Sequence, residues 1–320
     1  MHNKHSLHLD IYSQYRTQIM GVAAIMILIC HYHVLLPTTI TKITELGNYG
    51  VDIFMFISGF GMFYSIDNNK QGISSWYKKR FTRILVPYLL ISIPYALIRL
   101  CIGTFSIADV FLNITTLEYW FTHRGAWFVS AVLPLYLITP FLSRRFKKLR
   151  SGIIVAMLIS ASIIILLNTP IFYDPIAQNI KSVLRRTPMF FIGFFIANNI
   201  KTKEQIKCSH ILTAICIALI LYFGFKVYTA LTIPITIAIG YIIKWMCQKR
   251  LFNSIFLFFG KISLESYLTN IYLLVLFGYI DFGVLGYGNY LKCTLAIAVG
   301  VPLAYLMNNV CNKLITHKKG

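Results

Sequence analysis

Three ionisable side chains lie inside long apolar stretches of the sequence and are the first candidates for catalysis: His31, Asp52 and Glu265. An ionisable group inside hydrocarbon is costly, and membrane proteins that keep one generally use it. A carboxylate bonded to one ring nitrogen fixes the tautomer of an imidazole and raises its basicity, which suits a general base acting on a hydroxyl. His31 and Asp52 are therefore the candidate catalytic pair; a structural pair joining two helices is the alternative.

The elements that position these residues are membrane-spanning helices. The 320-residue chain is 57% hydrophobic and only 12% charged, too little polar surface for a soluble domain. Apolar runs of about 20 residues, long enough to cross the hydrocarbon core, recur along it. We predict an all-α, polytopic integral membrane bundle of about ten transmembrane helices, forming a single domain over residues 1–320. The predicted spans are 17–36, 48–66, 84–103, 126–142, 151–168, 184–199, 210–225, 228–247, 262–280 and 291–311.

The membrane topology explains the net charge of +20, because most basic residues fall on one side of the membrane. With the N-terminus in the cytosol, 22 of the 30 Lys and Arg residues fall in cytosolic segments, as the positive-inside rule requires. The basic excess therefore needs no nucleic acid, and an even number of spans leaves both termini cytosolic. The seven cysteines show no paired spacing, so we predict neither a disulfide framework nor a metal site.

The two members of the candidate catalytic pair are predicted to lie at similar depths below the outer surface of the membrane. His31 lies about five residues short of the outer end of span one, roughly 7 Å below that surface at 1.5 Å per residue. Span two runs the other way from Asn48, so Asp52 lies about 6 Å below the same surface.

Three arginines are candidates for binding anionic groups. Arg16 lies at the cytosolic mouth of span one on the same helical face as His31, where it either holds a phosphate of an anionic donor or serves as an ordinary inside anchor. Arg185 and Arg186 lie at the predicted outer end of span six, against the positive-inside trend. They either contact an acceptor or oxyanion, or interact with lipid phosphates.

Three more residues are candidates for substrate contacts. Glu265 follows Lys261 by four residues, so an ordinary helix ion pair is the alternative to a functional role. Trp127 and Tyr136 either line a cavity or pack inside the bundle.

Several segments resemble the membrane-bound acyltransferase-3 family. They occur in the order expected of that family and span most of the chain, a combination far more specific than any one motif. The segments are YRTQIMGVAAIMILICHYH at 15–33, GVDIFMFISGFGMFYS at 50–65, KRFTRILVPY at 79–88, GAWFVSAVLPLYLITPF at 125–141 and GKISLESYL at 260–268.

The resemblance implies an enzyme of a bacterial cytoplasmic membrane. Such an enzyme moves an acyl group, commonly acetyl, from cytosolic acyl-coenzyme A to a hydroxyl of an extracytoplasmic glycan or lipid-linked sugar, with no tightly bound cofactor. His31 matches the family's essential histidine, as general base or transient acyl carrier. Arg16 matches its preceding basic residue, and Arg80 with Arg83 its donor-side R-x-x-R pair.

The chain departs from the family pattern at two positions. Relatives usually carry the basic residue eleven positions before the histidine, where this chain has Met20 and places its arginine one turn earlier. Many carry a histidine near the end of the SLxxYL block, where this chain has Asn270. Two rival functions stay open: a transporter or flippase of glycolipid precursors, which would show the same hydropathy, and a non-catalytic sensor or scaffold within a polysaccharide assembly complex. Against a transporter, the sequence shows no pair of related halves.

Overall fold

The computed structural model describes residues 9–31, 45–146, 174–202, 208–225, 231–280 and 288–317, together with 162, 163 and 169. Every regular element in this part of the chain is a helix, which confirms the predicted all-α class. The helices are α1 (Ile11–Gln14), α2 (Arg16–Cys30), α3 (Asn48–Asp67), α4 (Ile73–Cys101), α5 (Ile107–Ile114), α6 (Glu118–Thr122), α7 (Trp127–Phe146), α8 (Pro175–Leu184), α9 (Thr187–Lys201), α10 (Cys208–Phe225), α11 (Thr232–Gln248), α12 (Asn253–Lys261), α13 (Ser263–Gly278) and α14 (Gly288–His317).

Four of these helices are long and apolar enough to cross a membrane: α3, α4, the segment Trp127–Arg144 of α7 and the segment Asn289–Ile315 of α14. The apolar helix α2 is shorter. Helices in the described part overlap nine of the ten predicted spans, whereas the fifth, 151–168, lies outside the described residues except for positions 162 and 163. The number of spans therefore stays a prediction.

Large apolar side chains are exposed along the membrane-length helices, and in water such surfaces would associate. In a bilayer they meet lipid, while helical hydrogen bonds satisfy the backbone. Examples are Leu97 and Ile98 in α4, Leu137 and Phe141 in α7, and Leu306 and Leu314 in α14.

The described residues belong to two compact units that are interleaved along the sequence. The first unit consists of Met1–Met20, Val51–Lys70 and Tyr136–Leu257. The second unit consists of Gly21–Gly50, Gln71–Leu135 and Phe258–Gly320. That all of them form one domain stays a prediction.

Helices α3 and α9 run parallel in the first unit. Near the start of α3, Asp52 pairs with Arg186, and at its end Asp67 pairs with Lys201. Both pairs join residues 134 positions apart, so position advances along the two helices in the same direction.

Two glycines let these helices approach closely. A Cβ built on Gly59 would overlap the carbonyl group of Phe190, and a Cβ built on Gly193 would overlap that of Phe56. Small residues at helix crossings are the usual device for tight packing in membranes, where no hydrophobic effect drives helices together.

In the second unit, α13 packs against α14 and α4, and the segment between α4 and α7 forms two short helices. Helix α5 begins with a capping box, in which the Ser106 hydroxyl accepts from the Asp109 amide at 3.2 Å and Oδ2 of Asp109 accepts from the Ser106 amide at 2.8 Å. Glu118 begins α6 and is buried, its Oε2 accepting a hydrogen bond from Asn113 at 2.5 Å.

Candidate active site

His31 follows the last residue of α2, and its ring is held by a residue of α13. Its Nδ1 lies 2.7 Å from Oδ1 of Asn270, whose side chain is almost fully buried at 1% exposure. The Tyr267 ring lies beside the imidazole, with centroids 6.1 Å apart and planes inclined by 44°. The second unit thus fixes the imidazole between a polar contact and an aromatic surface.

The aromatic surface beside His31 continues into α7 and α6. The Tyr267 hydroxyl accepts a hydrogen bond from the Phe128 amide at 3.3 Å, and the two rings lie 6.0 Å apart. Trp127 is half-buried next to Phe128, and its ring lies 6.3 Å from that of Tyr119. Tyr267 and Tyr119 are buried, whereas Phe128 and Trp127 are partly exposed and offer flat apolar faces that suit contact with a sugar ring.

Asp52 has a partner that the sequence did not indicate. Its carboxylate is buried, and Oδ2 accepts a hydrogen bond from Nη1 of Arg186 at 2.8 Å. The predicted orienting contact between Asp52 and His31 stays a prediction, whereas the residue that the structure places against Nδ1 of His31 is Asn270.

The two adjacent arginines of the sequence have different surroundings. Arg186 is half-buried and bound to Asp52, so its charge is opposed by a carboxylate. Arg185 is the C-cap residue that follows α8, and its side chain is exposed. Contact with an acceptor or with lipid phosphate stays a prediction for both, but only Arg185 presents an exposed charge.

Arg16 occupies space that a glycine provides. A Cβ on Gly61 of α3 would lie only 2.6 Å from Nη2 of Arg16 and 3.1 Å from its Cζ. Any larger residue at position 61 would displace the guanidinium, so the sequence of α3 is adapted to the position of Arg16.

Arg80 and Arg83 lie three residues apart on α4, so they are neighbours on the helix surface. Arg80 is half-buried and Arg83 is exposed. That Arg16 acts together with this pair stays a prediction.

Glu265 lies in the first turn of α13 and is buried. Its Oε1 accepts a hydrogen bond from Nδ2 of Asn308 at 3.1 Å, and the positive charge of Arg83 attracts its carboxylate. The described residues contain no ion pair between Glu265 and Lys261, so the ordinary helix pair considered for it is not what holds this side chain. Tyr136, the remaining candidate, is buried in α7.

The comparison with protein families decides the class of the chain. The acyltransferase-3 family model, described as an acyltransferase domain, matches residues 19–308. The chain belongs to the acyltransferase-3 family. No curated protein and no solved structure matches it.

Membership of the acyltransferase-3 family makes this protein a membrane acyltransferase. The matched region contains His31, Asn270 and both arginines of the R-x-x-R pair, and it begins three residues after Arg16. The region that matches the acyltransferase-3 model thus includes the residues whose contacts define the candidate site around His31.

Sequence reasoning for this acyltransferase-3 protein did not assign roles to Asn270, Tyr267 and Glu118. Asn270 lies five residues after Glu265 in an apolar helix, and an amide inside a span was the available signal. Glu118 lies between predicted spans, where a carboxylate is usually solvated. Burial raises the pKa of its carboxyl above the ordinary value, although the hydrogen bond from Asn113 opposes that rise.

Proposed function

We propose that this acyltransferase moves an acyl group, in the simplest case acetyl, from acyl-coenzyme A to a hydroxyl group of a cell-surface or lipid-linked carbohydrate. The observation that supports it best is the imidazole of His31, which is held by a buried amide and lies beside the Tyr267 ring, within the region of the family match. Histidine is the side chain best suited to take a proton from a hydroxyl near neutral pH.

The reaction needs one proton transfer and one exchange of bonds at the thioester carbon. The imidazole of His31 takes the proton of the acceptor hydroxyl as the hydroxyl oxygen attacks the thioester carbonyl. A carbon–oxygen bond forms and the carbon–sulfur bond breaks. The coenzyme A thiolate then leaves and takes the proton from the imidazolium, so that an ester and a free thiol result. Transient acylation of the same ring followed by transfer to the hydroxyl has the same overall balance.

The donor is assigned to the cytosolic end of α4. Arg80 and Arg83 present two fixed charges on one helix surface, and guanidinium groups bind phosphate oxygens with two hydrogen bonds each. Arg16 is the third candidate for these phosphates. Because both termini are expected in the cytosol of a bacterial inner membrane, the donor approaches from that side.

The acceptor is assigned to the aromatic surface formed by the partly exposed rings of Phe128 and Trp127, next to the buried Tyr267 ring. Sugars bind aromatic faces through their apolar CH groups and bind polar side chains through their hydroxyls. An acceptor lying on this surface would bring a hydroxyl toward His31, because the Tyr267 ring adjoins the imidazole.

The experiment is an acyl-transfer assay in membranes that contain the full chain. Radiolabelled acetyl-coenzyme A is added with the carbohydrate acceptor, and transfer is scored beside translocation of the unmodified glycan. Label in the glycan supports the proposal, whereas translocation without label supports a flippase instead.

The matched variants in this assay are His31→Ala and His123→Asn. We expect His31→Ala to lose about 10²-fold to 10⁴-fold of the transfer rate, the usual contribution of a general base. His123 is exposed with a left-handed backbone at φ 58°, which asparagine tolerates, so His123→Asn should transfer at the normal rate. Normal transfer by correctly inserted His31→Ala protein would refute the proposed role.

A further inference from the structure

We infer that Asn270 is the positioning residue that fixes the tautomer of His31, so that Nε2 is the nitrogen that accepts the proton of the acceptor hydroxyl. This inference rests on the proposed function, because it assigns the working atom of the same base. Asn270 lies within the residues that the family match covers.

The chemistry of the contact determines which ring nitrogen carries the proton. The atom of Asn270 that faces Nδ1 is the amide oxygen Oδ1, at 2.7 Å. An amide oxygen only accepts hydrogen bonds, so Nδ1 must donate. A neutral imidazole carries one proton, and with that proton on Nδ1 the lone pair lies on Nε2.

The position of Asn270 is itself well determined. Its side chain is buried at 1% exposure in α13, a helix anchored to α14 by the hydrogen bond from the Thr269 hydroxyl to the Gly300 carbonyl at 3.0 Å. A Cβ at Gly300 would lie 3.4 Å from Leu273 and 3.7 Å from the Thr269 hydroxyl, so the two helices are in close contact here. The amide thus stands on a packed helix pair, as a residue that orients a catalytic group should.

A neutral partner for the base differs from the carboxylate that the sequence suggested. Asp52 faces Arg186, and the group facing Nδ1 is an amide that adds no charge. Asn270 therefore orients the ring and selects its tautomer without a full negative charge on the far side of the imidazole. Tyr267 is a titratable group that the structure places against the ring, and its hydroxyl accepts a hydrogen bond from the Phe128 amide.

The alternative role for this contact is structural, joining α2 to α13 as any buried hydrogen bond would. A structural role predicts lower stability in a variant that lacks the amide, but it does not predict which ring nitrogen of His31 carries the proton. Two measurements therefore distinguish the roles. One is the tautomer of His31, and the other is whether a change at Asn270 lowers kcat while KM for acyl-coenzyme A stays the same.

The first measurement is nitrogen NMR of the full chain labelled with ¹⁵N-histidine, at a pH where the ring is neutral. The His31 signals are identified by their loss in His31→Ala. We expect a protonated Nδ1 and an unprotonated Nε2, and the opposite assignment would overturn the inference. Because it uses the unaltered protein, this result does not depend on whether any Asn270 variant folds.

The second measurement compares Asn270→Leu with Asn270→Asp, which have similar side-chain volumes. Asn270→Leu removes the acceptor, so we expect kcat to fall about 10-fold to 100-fold while KM for acyl-coenzyme A changes by less than about twofold. Asn270→Asp keeps an acceptor oxygen and should recover most of that loss. Equal kcat values for Asn270→Leu and the unaltered protein would overturn the inference.

These outcomes separate the inference from the function on which it rests. If His31→Ala transfers acyl groups normally, the proposed function fails whatever the tautomer is. If His31→Ala is inactive but Asn270→Leu is fully active, the proposed function stands and the role of Asn270 fails.

Discussion

Arg186 donates a hydrogen bond to Asp52 at 2.8 Å, joining the N-terminal end of α9 to the first turns of α3. The pair from Asp67 to Lys201 repeats the same offset of 134 residues at the other end of these helices. Two ion pairs and a glycine crossing between them thus hold a parallel helix pair in register. Asp52 and Arg186, both predicted to serve a site, have a clear structural role in the first unit.

Removing either partner of this pair should destabilise the protein. Because Asp52 is buried, Arg186→Ala leaves its charge without a counter-charge, at a cost of about 3–5 kcal/mol for a buried pair and less here because Arg186 is partly exposed. The measurement is thermal unfolding of the detergent-solubilised chain. Arg185→Ala is the matched control, because its side chain is exposed. Equal melting temperatures for the two arginine variants would contradict the structural role.

The glycine crossing of α3 and α9 should not tolerate a methyl group. Gly59→Ala and Gly193→Ala each place a Cβ on a backbone carbonyl of the facing helix, and we expect each to cost about 1–3 kcal/mol or more through overpacking. The control is Gly224→Ala in α10, where the new Cβ meets nothing within 4 Å. That variant should be neutral or slightly stabilised, because alanine favours helix. Similar unfolding curves for all three would argue against the close crossing.

Substituting Gly61 should affect donor binding through Arg16. In Gly61→Ala the new Cβ would lie 2.6 Å from Nη2 of Arg16, so the long side chain must move while the helix backbone stays favourable. If Arg16 holds a donor phosphate, KM for acyl-coenzyme A should rise about 3-fold to 30-fold, the loss of one weakened charge-assisted hydrogen bond. Gly224→Ala should leave KM unchanged. An unchanged KM in Gly61→Ala would indicate that Arg16 is only an inside anchor.

The segment between α4 and α7 should make stability depend on pH through Glu118. Burial raises the pKa of this carboxyl in the folded protein, so its contribution is fully present below the unfolded pKa and is lost as pH rises through the folded pKa. The unaltered protein should therefore lose stability as pH rises above the ordinary glutamate pKa, and Glu118→Gln should not show this loss. Melting temperatures over about pH 2 to pH 8 test this.

Asp109 provides a control of opposite sign. Hydrogen bonds from the Ser106 hydroxyl and backbone lower the pKa of Asp109, so its contribution is present above the unfolded pKa and is lost as pH falls through the folded pKa. Asp109→Asn should flatten the acidic side of the same curve. Identical pH curves for Glu118→Gln and the unaltered protein would contradict the burial of Glu118.

Much of the helical architecture follows from the distribution of apolar residues. Spans two and six were both predicted to run from the outside to the inside, and the parallel direction of α3 and α9 agrees with this. Two parallel spans require an odd number of crossings between them. Spans three, four and five are the three predicted crossings between them, and that number stays a prediction.

Side-chain partners were harder to predict, because depth along a helix does not give the direction around its axis. His31 and Asp52 were paired on depth alone, yet the structure places Asn270 and Arg186 against them. Asn270 is uncharged, so the pattern of charged residues did not indicate it as the partner of His31. Arg16 and Gly61 illustrate the same limit, since a glycine that makes room for a guanidinium is visible only after packing is known.

The most direct test of the account is mass spectrometry of surface and lipid-linked glycans from cells that express either the unaltered chain or His31→Ala at equal membrane levels. We predict acylated glycan in the first cells and its loss in the second, with His123→Asn cells resembling the first. Acylated glycan at the same level in the His31→Ala cells would contradict the central claim that this imidazole carries out the transfer.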